Sequence, residues 1–172
     1  LQSQGKKIGS IVGQAKKLLQ NPIMKNSGKN VLFEDKINFH WIYYLFYQIK
    51  RDIPNSYSHS KLMLELFHQD FEKWKLHIST YLRVMNNFLM TCIQLRRHEE
   101  IPSCLTSMRE VKNLIRPHTE TAKSHFMRHA NHSILYHLET GKYDEGKHVV
   151  KEICSELKSY RKKLNDLEKI AL

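Results

Sequence analysis

Hydrophobic positions recur along most of this chain at steps of three and four, the spacing that gathers side chains on one face of an α-helix. The clearest run lies near the C-terminal end. Ala122, Phe126, Ala130, Ile134 and Leu138 fall four apart, and Gly146, Val150, Ile153, Leu157, Tyr160, Leu164, Leu167 and Ala171 then alternate steps of four and three. Between the two stripes, Gly141 suits a helix end, where left-handed backbone costs a glycine least. Asp144 and Glu145 suit a helix start, beside the positive end of its dipole. Residues 118–172 therefore predict a helical hairpin that turns at Gly141–Gly146.

Upstream, Ile8, Ile11, Val12, Ala15, Leu18 and Leu19 predict an amphipathic helix closed by Asn21-Pro22, followed by a polar linker at Lys25–Asn30. Gly5, Gly9 and Gly13 lie four apart in that helix, where each lowers helix propensity by about 1 kcal/mol. Phe39–Tyr47 is apolar or aromatic on nearly every side. No second run could pair with it as a sheet, so a helix is expected from about Asp35 to Lys50, covered on most of its faces. Asp52–Ser56 reads as a break, followed by a short helix to about Phe67. A long helix is expected from Phe71 and Trp74 through Ile93, and a partner helix from Ile101 that ends at Leu114–Pro117. Pro102 is tolerable only in the first turn of that partner.

The chain also resembles itself at an offset of 45 residues. Arg83 falls on Arg128, Asn86 on Asn131, Leu89-Met90 on Ile134-Leu135, and Ile93 on Leu138. Arg97-His98-Glu99-Glu100 falls on Lys142-Tyr143-Asp144-Glu145, basic–ring–acid–acid in both. The same shift sets Tyr43–Leu45 over Phe88–Met90 and the Asp52–Ser56 break over the two turns. Repeated helix–turn–helix units imply stacking, because one unit cannot bury its apolar face alone.

Gly141–Gly146 is similar to the G-x-Y-x-E-A turn of tetratricopeptide repeats, and Arg96–Ile101 resembles a degenerate copy of it. The chain departs from that family in its longer spacing, against roughly 34 residues, and in Gly146, where alanine is usual. Ser133 also stands where a large apolar residue is usual. The resemblance implies an all-α, right-handed α-solenoid of antiparallel hairpins with about seven helices. Residues 31–172 would form the repeat domain, and 1–30 an N-terminal helix and linker left over from an upstream repeat. A chain beginning at Leu1 fits a fragment or processed form. A compact bundle of the same hairpins is the alternative.

Composition agrees with this picture. The chain has 172 residues, 41% of them hydrophobic, with six Gly and four Pro, so a folded helical domain is expected. No apolar run approaches the roughly 18 residues of a membrane span, and no leader pattern is present. Three cysteines without close spacing fit reduced thiols and a cytoplasmic location better than a disulfide framework. The net charge of +11 is scattered over Lys and Arg. Solvated helix faces are the preferred reading of it, and a nucleic-acid surface the alternative.

Little catalytic chemistry is visible. A phosphate loop, H-E-x-x-H and G-x-S-x-G are all missing, and Cys92 and Cys104 fall at apolar positions expected of core thiols. His125, His129 and His132 share one helical face and could approach a metal, but no carboxylate or cysteine completes the set nearby. No metal or cofactor is expected. The Arg83/Asn86 and Arg128/Asn131 pairs are better placed. By the resemblance they line a concave groove, where Arg forks onto a carboxylate and Asn bonds a peptide backbone. Trp41, Tyr44 and Tyr47 offer a second partner interface, and the Gly146–Ala171 stripe either covers a neighbouring helix or forms a homodimer seam. The expected function is a non-enzymatic scaffold that binds a peptide or partner protein. The alternative is an effector or dimerisation domain of a transcription regulator, or a basic nucleic-acid-binding domain.

Overall fold

The computed structural model of the chain describes residues 13, 17, 32–115 and 119–170. The protein is all-helical, with no strand among the described residues. Seven helices are expected from the sequence, and six helices of eleven residues or more are described. The helix expected over 8–20 lies outside the described residues except for Gly13 and Lys17, both helical, and the Lys25–Asn30 linker lies wholly outside them. No described helix is long and apolar enough to cross a membrane. The chain divides into two compact units, Leu1–Arg96 and Arg97–Leu172, so the boundary falls inside the second of the predicted turns.

In the first unit, α1 (Phe33–Lys50) carries Glu34 and Asp35 in its first turn, where the helix dipole favours acids. α2 (Ile53–His68) follows after two residues rather than the five-residue break expected at Asp52–Ser56. Asp52 caps it, accepting from the Asn55 backbone N–H at 3.3 Å and from the Asn55 amide at 2.7 Å. Pro54 sits in the first turn, where its missing N–H has no partner to lose.

The long helix expected from Phe71 is divided by His77 into α3 (Phe71–Leu76) and α4 (Ile78–Gln94). His77 leaves helical backbone at φ −114°, ψ 38°. Its ring is engaged on α1, with Nε2 at 3.1 Å from Glu34 and the ring centroid 5.6 Å from that of Phe33. α2 packs against both α1 and α4. Met63, Phe67, Met85 and Leu89 are fully buried there. The hydroxyls of Ser60 and Thr91 meet at 3.2 Å in the α2–α4 contact. Each is 2.8 Å from a carbonyl of its own helix, Tyr57 and Phe88 respectively, so neither of these two hydroxyls is left unbonded.

In the second unit, a 3-10 turn at His98–Glu100 leads into α5 (Ile101–Val111), with Pro102 in its first turn as expected. α6 (Glu120–Glu139) is capped by Thr119, whose hydroxyl accepts from the Ala122 N–H at 3.2 Å. α7 (Tyr143–Ile170) returns along it. A Cβ on Gly146 would stand 3.1 Å from the Cβ of His137. The glycine found where the resembled turn has alanine therefore lets α7 approach α6 closely.

Three non-helical corners share one backbone device. Arg51, Arg96 and Gly141 have φ of 58°, 56° and 70°, and each donates its N–H to a carbonyl three residues back, at 3.0, 3.1 and 3.3 Å. The helical segments that follow begin at Ile53, His98 and Tyr143. Both sets are spaced by 45 residues, the offset at which the sequence resembles itself.

Candidate functional site

The aromatic helix α1 directs its rings toward α2 and α4 and leaves aliphatic side chains outside. Tyr44 is 7% exposed, and burial raises the pKa of its phenol; its carbonyl accepts from Ser56 at 3.3 Å. Tyr43 and Tyr47 both stack on His59 of α2, with centroids 4.9 and 5.7 Å away. His40 and His59 approach Nδ1 to Nδ1 at 3.0 Å, so one neutral ring donates to the other's lone pair. Burial, and then the neighbouring His40, pushes His59 down to about 4, and burial lowers His40. Trp41 is half-buried beneath Arg83, whose guanidinium carbon lies 5.3 Å from the ring centroid.

What α1 turns outward is Ile42, Leu45 and Ile49, exposed by 37, 45 and 41% at helical spacing. Exposed Lys50 and Arg51 follow the stripe at its C-terminal end, and at its N-terminal end the same face continues to exposed Asn38 and Asp35. Of the three residues predicted as a partner interface, Trp41 and Tyr47 are half-buried and Tyr44 is buried. The sequence shows the rings but not the direction in which they point.

Of the predicted groove residues, Arg83 and Asn86 belong to the first unit, Arg128 and Asn131 to the second. Arg83 and Asn131 are exposed, Asn86 and Arg128 half-buried. The Asn86 amide donates to the side chain of Asn87 at 3.4 Å.

A cavity of about 440 Å³ opens among α5, the 3-10 turn after it, α6 and α7. Ile115, Ala122, Phe126, Val149 and Ile153 give it apolar walls, and Arg109, Lys112, His125, His129, Glu152 and Glu156 bring polar groups to it. Lys112 and Glu156 are ion-paired with each other. Among the described residues Arg109 has no ion pair.

His125 is 4% exposed. Its Nε2 lies 2.8 Å from the carbonyl of Met108, one of the carbonyls that the end of α5 leaves without a helical partner. That bond places the proton on Nε2 and leaves Nδ1 as a lone pair, which has no hydrogen-bond partner. Burial pushes His125 down to about 4; the Met108 bond opposes this, and His129, Lys112 and Arg128 reinforce it. His129, which bonds the Leu105 backbone, is lowered by burial and then by Arg109. The buried His132 falls to about 4, through burial and then His129 and Arg128. The histidine face singled out in the sequence thus fastens α6 to carbonyls of α5 at two positions, and no trio of His, Cys, Asp or Glu among the described residues is placed to hold a metal ion. Cys92 and Cys104 are buried in the core and Cys154 is exposed, all three as free thiols.

Sequence reasoning did not assemble this cavity. Its signal was three polar pairs at helical spacing on successive segments: Arg109/Lys112, His125/His129 and Glu152/Glu156. Comparison with known proteins adds no relative: no family model matches the chain, and no curated protein or solved structure does.

Proposed function

We propose that this protein is a non-enzymatic interaction module built from tandem helix–turn–helix units, which takes up an acidic amphipathic helix of a partner protein on the outer face of α1. The outward stripe Ile42, Leu45, Ile49 carries the proposal. Three aliphatic side chains at helical spacing match the i, i+3, i+7 anchors by which one helix lies on another. Lys50 and Arg51 at its C-terminal end, within a chain of net charge +11, favour an acidic partner there. The spacing of Arg51, Arg96 and Gly141 supports the tandem character, because the same left-handed helix end recurs with the sequence offset.

The test is fluorescence anisotropy with a labelled peptide carrying leucines three and four apart and glutamates elsewhere. Its control is the same peptide with lysines for glutamates. The acidic peptide is expected to bind, and Leu45→Glu to weaken it by about tenfold or more without changing the far-UV circular dichroism. Equal binding of both peptides, or indifference to Leu45→Glu, overturns the reading.

A further inference from the structure

The α6–α7 hairpin presents the groove of the α1–α2 hairpin without the helix that fills it. Twice the 45-residue offset lays α7 on α2 and α6 on α1, with the helix starts Tyr143 and Ile53 in register. In the first unit α4 occupies the groove. Its Phe88, Thr91 and Tyr81 meet Tyr57, Ser60 and Phe67 of α2, and its Arg83 lies over Trp41 of α1. Ile37, one turn before Trp41, shares that face of α1. The corresponding positions of α6 and α7 are open. Ile37, Ser60 and Phe67 are 4, 0 and 0% exposed, whereas Met127, Val150 and Leu157 are 49, 42 and 44% exposed. Cys154, in the place of the buried Leu64, is exposed as well. A helix that caps a repeat stack carries a polar outer face, and α7 carries Val150 and Leu157 instead.

The rim of this groove is basic. Lys147 is paired with Asp144, but Lys151 and Lys158 stand exposed on the same side of α7, in the places of Lys61 and His68. On α2, His68 reaches α4 through a 3.2 Å bond to the Tyr81 hydroxyl. Glu152 and Glu156 of α7 turn away from this rim into the cavity lining, where Glu156 holds Lys112. A second copy of the chain docked here would set the same lysines against each other, and residues 8–20 would add Lys16 and Lys17. We propose that the α6–α7 groove takes up an acidic amphipathic helix of another protein, seated as α4 is on α2. Apolar side chains three and four apart lie against Met127, Val150 and Leu157, and carboxylates meet Lys151 and Lys158. The proposal rests on the tandem character of the chain and is independent of the α1 face.

The test is methyl NMR on the full chain carrying Leu45→Glu, which disables the α1 face. The probe is a helical peptide with leucines three and four apart and glutamates elsewhere. Methyls of Met127, Ile134, Val150 and Leu157 are expected to shift together as it binds. Leu157→Glu, at an exposed position, should weaken binding about tenfold or more, with unchanged far-UV circular dichroism. Lys151→Glu combined with Lys158→Glu should also weaken it about tenfold, and the same peptide with lysines for glutamates should prefer that doubly reversed chain. Absence of binding at millimolar peptide overturns the proposal. So do shifts confined to other methyls, or indifference to Leu157→Glu or to the two lysine reversals. A dimer in analytical ultracentrifugation that Leu157→Glu dissociates gives the groove to a second copy and overturns it too. With the α1 face disabled throughout, none of these outcomes bears on the proposal for Ile42, Leu45 and Ile49.

Discussion

Arg96 and Gly141 occupy the same place in successive turns and share the same left-handed backbone, with φ of 56° and 70°. Glycine adopts this conformation freely, whereas an L residue with a Cβ is held there at a cost of roughly 1 kcal/mol. Arg96→Gly should therefore stabilise the protein by about 0.5–1 kcal/mol. Gly141→Ala should destabilise it by a similar amount even though a Cβ there meets nothing within 4 Å. Urea denaturation midpoints of the two variants should move in opposite directions; shifts of the same sign would show that the turn conformations differ in solution.

Gly146 is governed by space and not by backbone angle. A Cβ at this position stands 3.1 Å from His137 Cβ, an atom fixed to the backbone of α6. Gly146→Leu should cost roughly 1–3 kcal/mol as α6 and α7 are forced apart. An unchanged melting temperature would mean that the two helices are not in close contact there.

Arg83 and Trp41, which the sequence places in two separate candidate sites, touch each other. A double-mutant cycle of Arg83→Ala and Trp41→Ala should return a coupling of about 0.5–1 kcal/mol in unfolding free energy. Additive effects would dismiss the contact. Any loss of partner binding in Arg83→Ala has to be judged against this structural role.

Three histidines should make the fold sensitive to mild acid. His59, His125 and His132 are held neutral to about 4 against an ordinary value of 6.5. On acidification the unfolded chain takes up the proton first. Their contribution is thus fully present above about pH 6.5 and is lost as the pH falls from there toward 4. For the buried His125 the shift corresponds to at most roughly 3 kcal/mol. Urea midpoints measured between pH 7 and 4.5 should fall steadily, and His125→Gln should flatten that slope; an unchanged slope would place His125 in contact with water.

The cavity and the α1 face show different limits of sequence reading. Ile42, Leu45 and Ile49 were visible as apolar positions, but so was every other residue of Phe39–Tyr47 except His40. When a helix is apolar all round, periodicity does not reveal which side its neighbours cover. Arg109, Lys112, Glu152 and Glu156 read as ordinary surface charges, because nothing local reports that α5, α6 and α7 bring them to one space. The histidine face was legible as a face, and its partners, the Met108 and Leu105 backbones, were not. The side chains of Tyr160, Leu164, Leu167 and Ala171, the far half of the predicted dimer stripe, lie outside the described residues. In its near half Val150 and Leu157 are exposed while Gly146 and Ile153 are half-buried.

By itself the sequence determined what depends on neighbours within a turn or two. Helical periodicity, the Pro102 position, the acidic helix start at Asp144-Glu145 and the Gly141 corner are local matters of backbone sterics and dipoles, and they emerged as expected. The residues with left-handed backbone, Arg51, Arg96 and Gly141, stand 45 positions apart. Only the tertiary structure decided which face of each helix is spent on its neighbours, because that depends on residues far away in the chain. His77 turns out of its helix toward Glu34, Arg83 settles on Trp41, and His125 reaches Met108. Those distant contacts leave Ile42, Leu45 and Ile49 facing outward and Arg109 without a partner among the described residues.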